Sequence, residues 1–149
     1  MADPIPPGYR SITPYLCSPN AKEAIEFYKR AFGAEEVVRM PTRDGRVMHA
    51  EIRIGDSMVM LADSLPEFGG SKPAPEGVGP ALHLYVPDAD AAFERAVKAG
   101  CKPAMPPTDM FWGDRFGKVV DPFGLAWTIA HHVRDVSPAE IEAAMKSFG

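Results

Sequence analysis

The groups in this sequence most able to carry chemistry are few, and their spacing limits what they can do. His49 and Glu51 stand two apart in HAEIRI, and His83 sits in ALHLYV. Alternate residues of a strand share a face, so His49 and Glu51 would present an imidazole and a carboxylate to the same side. Such groups can serve as acid and base near neutral pH. With His83 they could also form an off-pattern metal site, although a strand histidine among polar neighbours is often simply hydrogen-bonded. His131 and His132 are adjacent and would point to opposite faces, so they mark a strand end rather than a chelating pair. In the stretch 109–115, DMFWGDR, Phe111 and Trp112 offer surfaces for a planar ligand and Arg115 offers a cation for an anionic group. The alternative is that Trp112 fills the mouth of a barrel and Arg115 pairs with Asp114 or Asp121. Cys17 and Cys101 form no CxxC pair and read as two small buried or half-buried thiols.

These residues need elements to hold them. The chain has 149 residues, 46% of them hydrophobic, enough for one compact domain over 1–149. Its net charge of −4 gives no basic footprint for nucleic acid. No apolar run is long enough to cross a bilayer, and the N-terminal MADPIPPGYR lacks the apolar stretch of a signal peptide. A cytoplasmic location is expected. Sixteen prolines and thirteen glycines gather at the N-terminal arm, at 69–80 and at 103–107, which suggests short elements separated by turns.

One pattern occurs twice. PNAKEAIEFYKRAFGAEEV and PDADAAFERAVKAGCKPA each open with Pro-Asn or Pro-Asp, carry apolar residues at helical spacing and reach a glycine, Gly33 or Gly100, placed as a C-cap. ITPYLCS precedes the first helix and ALHLYV the second, both alternating as strands do. Further strands are expected at 36–40, 46–54 and 57–62, with Gly55-Asp56 as a hairpin turn, and at 102–104, 115–120 and 125–130, with Asp121 to Gly124 as the turn. Trp127 would face a helix. Each half therefore reads βαβββ: module one at about 10–68, a linker at 69–80, module two at 81–132. Ser137-Pro138-Ala139-Glu140 starts a C-terminal helix over about 137–148. The fold class expected is α+β, two tandem βαβββ modules forming a partly open mixed β-barrel with a cleft.

Taken together, PYLCSPNAKEAIEFYKRAFGAEEV, HAEIRIGDSMVMLAD and WGDRFGKVVDPFGLAWTIAHH resemble the vicinal oxygen chelate superfamily, of glyoxalase/bleomycin-resistance/dioxygenase type, and within it the PhnB-like branch. The resemblance spans 12–132. Metal-dependent members draw four ligands from His, Gln and Glu, one from the first and one from the last strand of each module. Alignment on the helix starts and the DP-x-G turn puts those positions at Thr13, Met60, Ala81 and Thr128. Methionine and alanine do not bind a hard divalent ion and threonine is a weak donor, so no metal and no cofactor are expected. A two-residue shift brings in His83 but offers only Tyr15 or Cys17, Met58 or Ala62, and Ala126 or Ala130 elsewhere. PhnB-like relatives often carry His after the DPFG turn, where this chain has Leu125.

The leading expectation is a protein that binds a small apolar or planar molecule in a metal-free cleft. Thr13, Tyr15, Met58, Met60, Ala81, His83, Tyr85, Trp112, Arg115 and Thr128 are its expected lining. The alternative is a metal-independent lyase or isomerase using His49, Glu51 and His83 as acid and base, with a metal-dependent glyoxalase-like enzyme or dioxygenase behind both. A homodimer is expected, as related folds pair through their sheets, and the 69–80 linker would permit exchanged modules. No nucleic-acid or membrane partner is expected.

Overall fold

In the computed structural model, residues 3–70 and 72–147 are described. The chain divides into two compact units, 1–78 and 79–149. Among the described residues no helix is long and apolar enough to cross a membrane.

The first unit runs β1 (Tyr15–Ser18), α1 (Ala21–Phe32), β2 (Glu35–Pro41), β3 (Val47–Ile54) and β4 (Ser57–Asp63), then a short 3-10 turn at Pro66–Phe68. Asn20 caps α1 by accepting from the Glu23 N–H at 3.1 Å. Gly33 ends the helix at φ 69°, a left-handed conformation that glycine adopts without steric cost. The helix buries Ala21, Ala24, Ile25, Tyr28 and Ala31 against one face of a sheet ordered β1-β4-β3-β2. That face presents Ala50, Ile52, Ile54, Val59 and Leu61, none more than 5% exposed. β1 is parallel to β4 and the other pairs are antiparallel. Asp63 closes the end of the sheet: one oxygen accepts from Ala21 N and the other from Val47 N, both at 2.7 Å.

The second unit repeats the plan: β5 (Leu82–Tyr85), α2 (Ala89–Ala99), β6 (Lys102–Asp109), β7 (Asp114–Val120) and β8 (Ala126–His132), followed by α3 (Pro138–Met145). Asp88 caps α2 and Gly100 ends it. The sheet is ordered β5-β8-β7-β6, again with one parallel pair. Val119, Trp127 and Ile129 form the buried row, and the Trp127 indole N–H donates to the buried Asp121 at 2.9 Å. The second carboxylate oxygen of Asp121 accepts from Phe123 N and Leu125 N, which fixes the turn. The two tandem βαβββ modules and the α+β class expected from the sequence are present.

Three expectations need correction. Residues 103–107, read as punctuation, lie inside β6, because an edge strand tolerates proline and the pairing with β7 slips at Met105. Thr13 and Ala81 precede β1 and β5. Neither therefore lies on the first strand of its module, where the residues that pair with Met60 and Thr128 are Tyr15 and His83. The C-terminal helix is shorter than expected, Pro138–Met145, with Ser137 accepting from Glu140 N at 3.2 Å as its cap.

Candidate functional site

Each sheet covers one face with its helix and leaves the other for side chains of different chemistry. In the first unit the open face carries Tyr15 and Cys17 from β1, Met58, Met60 and Ala62 from β4, and His49 and Glu51 from β3. Glu51 lies opposite Met60 on one side and Tyr15 opposite Met60 on the other, so β4 separates them. Side chains bridge that gap. Tyr15 Oη lies 2.7 Å from His49 Nδ1, and His49 Nε2 lies 2.9 Å from a Glu51 oxygen. The other Glu51 oxygen accepts from the Tyr9 hydroxyl. An ionised carboxylate only accepts; in the neutral imidazole this puts the proton on Nε2 and leaves Nδ1 to accept from Tyr15. The His49 and Glu51 side chains are 19% and 17% exposed, whereas Tyr15 is 56% exposed.

Beside Tyr15 lies a cavity of about 520 Å³, walled by Tyr15, Leu16, Cys17, Met48, Ala62 and Leu65 together with Asp63 and two glycines. Small-molecule sites occupy roughly 300–1,000 Å³ and are largely apolar, and this cavity matches on both counts. Burial, and after it the charge of Asp63, push the Cys17 thiol up from its ordinary value. The group therefore stays a thiol at neutral pH and is a poor nucleophile or metal ligand.

In the second unit the open face carries His83 and Tyr85 from β5, Thr128 and Ala130 from β8, and Phe116 and Lys118 from β7. His83 Nδ1 lies 2.5 Å from the Thr128 hydroxyl. The His83 ring meets Tyr85 edge-on at 4.6 Å and lies nearly parallel to Phe116 at 5.9 Å. Trp112 abuts Phe116 edge-on at 5.7 Å and Phe111 at 5.1 Å. The result is an aromatic shelf.

Of the residues expected to line a cleft, Tyr15, Met58 and Met60 share the first face, and His83, Tyr85 and Thr128 share the second, with Trp112 joining them through Phe116. Within the second unit, His83 takes its place in the aromatic shelf. Arg115 does not join the shelf. It alternates with Phe116, turns to the helix side and binds Asp90 of α2 at 2.6 and 3.0 Å and Asp109 at 3.1 Å. Arg115, through its hydrogen bonds, holds the Asp90 carboxyl below its usual range. His131 also turns to the helix side, where its Nδ1 accepts from Ala89 N at 2.8 Å. His132 turns the other way, between Asp114 at 2.8 Å and Asp135 at 2.7 Å. Tyr9 has no counterpart among the expected residues, since its proline-rich arm shows no periodic pattern.

Of the expected ligand positions, Met60 and Thr128 lie on the last strands, paired with Tyr15 and His83; these residues offer a thioether and a phenol in the first unit and a hydroxyl and an imidazole in the second. A hard ion with substrate-facing vacancies calls for carboxylate and imidazole donors together. Among the described residues no cluster of three or more His, Cys, Asp or Glu gathers. This donor set does not fit such an ion.

Solved structures agree with this architecture, and curated relatives share its sequence. An uncharacterized Mycobacterium tuberculosis protein is 43% identical over 143 residues, 93% of this chain and 84% of that protein. A gene product of Arabidopsis thaliana shares the fold at TM-score 0.66 and 31% identity, over 82% of this chain and 98% of that one. TioX from Micromonospora sp. ML1 matches at TM-score 0.65 and 23% identity, over 86% and 100%, and a PhnB protein of Bacillus cereus at 0.63 and 20%, over 82% and 99%. At such identities the last two speak for the fold alone. A family model matches residues 11–129, nearly the whole span of both modules, and by that match this chain belongs to the glyoxalase/bleomycin resistance protein/dioxygenase superfamily.

Proposed function

We propose that this protein binds a small, largely apolar molecule beside the edge strand β1 of its first module. The cavity of about 520 Å³ beside Tyr15 carries this reading. Its wall is mostly hydrocarbon and sulfur, which suits an apolar body, and Tyr15 and Asp63 are its polar members. The aromatic shelf of the second module supports a planar ligand in the same sense, because flat rings stack on such surfaces. The test is thermal melting with neutral planar probes such as 2-naphthol and indole. Saturating probe is expected to stabilise the wild type by about 2–3 kcal/mol at a hundredfold excess over Kd. Ala62→Trp, which fills the cavity from β4, is expected to melt normally and lose that response. A wild type indifferent to every such probe sinks the reading.

A second reading rests on a separate observation, the unbroken hydrogen-bond chain Tyr15–His49–Glu51. It is a metal-independent lyase or isomerase that moves a proton on the bound molecule. An imidazole held by a carboxylate on one nitrogen and facing a hydroxyl on the other is the arrangement that activates hydroxyl groups in unrelated hydrolases.

A further inference from the structure

We infer that Tyr15, and not His49, is the group that exchanges a proton with the bound molecule, and that His49, Glu51 and Tyr9 position it; this rests on the acid–base reading above. Both His49 ring nitrogens are engaged, Nε2 by Glu51 at 2.9 Å and Nδ1 by Tyr15 at 2.7 Å. In this arrangement neither nitrogen is open to a substrate, and the Tyr15 oxygen lies between Nδ1 and the exposed surface. Glu51 is occupied on both oxygens, by His49 and by Tyr9. Of the four side chains, Tyr15 alone combines an unfilled acceptor site on its oxygen, high exposure and a place in the cavity wall.

The direction of proton flow follows from the donors. Glu51 fixes the Nε2–H tautomer of His49, leaving a lone pair on Nδ1 aimed at the phenol. Proton transfer is then balanced without a co-reactant. The substrate C–H bond breaks and its electron pair stays on the substrate. The proton bonds to the Tyr15 oxygen, while the proton Tyr15 held bonds to His49 Nδ1. The resulting imidazolium is stabilised by the Glu51 carboxylate. Reversal at a different substrate atom completes a 1,3-proton shift; in an elimination the leaving group departs with its bonding electrons and takes up the Tyr15 proton, which the His49 Nδ1 proton replaces. The substrate class implied is a small, neutral, mostly apolar carbon acid, whose anion would be stabilised by delocalisation within the substrate itself.

The full chain can be tested with 5-nitrobenzisoxazole, a flat carbon acid that opens to a coloured phenolate when a base removes its proton. Wild type is expected to open the probe faster than buffer of the same pH. Tyr15→Phe, which removes one oxygen, is expected to lower kcat by about 100-fold or more with KM unchanged within about threefold. Nitrogen NMR of histidine-labelled protein is expected to report the Nε2–H tautomer at His49, with the Nδ1 signal shifting in Tyr15→Phe. A Tyr15→Phe variant that keeps its rate while His49→Gln loses it overturns the inference and leaves the acid–base reading standing. An Nδ1–H tautomer at His49 also overturns the inference, because Tyr15 would then have no acceptor. A wild type no faster than buffer overturns the acid–base reading and the inference with it.

Discussion

The two modules place the same strands in the same register and then fill their open faces with different chemistry. Tyr15 and Met60 in the first pair as His83 and Thr128 do in the second. Glu51 lies opposite Met60 where Lys118 lies opposite Thr128, an acid replaced by a base. His49, one link of a hydrogen-bond chain, corresponds to Phe116, the centre of the aromatic shelf. The helix-side faces are far more alike. Leu61 and Ile129 occupy equivalent places, both fully buried, and face Ala50 and Gly117 across the next strand. Asp63 and His131, also equivalent, each accept the first N–H of their module's helix. The fold is maintained by what lies under the helices, and that leaves the open faces able to diverge.

The comparison is most exposed to failure at the equivalent core positions. Leu61→Ala and Ile129→Ala each remove a fully buried side chain. Each is expected to lower unfolding free energy by about 2–5 kcal/mol in urea melts, with the spread set by how far the site collapses. Gly117, which has no side chain to relax, already receives Phe93 within 3.2 Å of where a Cβ would stand. The cavity left by Ile129→Ala is therefore expected to collapse less and cost more. If one substitution proves nearly neutral, the two cores are not equivalent.

The sequence made the helices legible because Asn20, Asp88, Gly33 and Gly100 are local signals that act within one turn. Strand parity was legible for the same reason, and it put His49 with Glu51 and Trp127 toward a helix. What escaped depends on partners distant along the chain. The Tyr15–His49 contact crosses an intervening strand and exists only because β1 pairs in parallel with β4 in one register. Arg115 shows its role only when α2 brings Asp90 beside it. Proline in β6 misleads because edge position is a property of sheet order, not of local sequence.

The helix-start pair gives an effect of intermediate size. Asp63 satisfies two backbone N–H groups and places negative charge at the positive end of α1. His131 satisfies one at α2. Asp63→Ala is expected to cost about 2–3 kcal/mol and His131→Ala about 1 kcal/mol, read from denaturant midpoints at neutral pH. His131→Asp is expected to restore the lost stability, since it gives α2 the acceptor that α1 already has. Failure of that rescue would show that the two helix starts differ in geometry despite their shared register.

The smallest effect separates the modules by pH. Asp114 and then Asp135, as hydrogen-bond partners, raise His132 above its ordinary value of 6.5. The corresponding places in the first module hold Val47 and Ser64, so no such ion pair exists there. A raised folded-state value means that the contribution is fully present below about pH 6.5 and is lost as pH rises through the higher, folded value. Because His132 is largely exposed, solvent and salt screen the pairs and the change is small. His132→Gln is expected to be less stable than wild type at about pH 5.5 and equal to it above about pH 8.5. Amide exchange should place the low-pH loss at the paired ends of β7 and β8, where Asp114 lies opposite His132, and leave β3 and β4 unchanged. A difference that persists at high pH would mean that His132 acts by packing and not by charge.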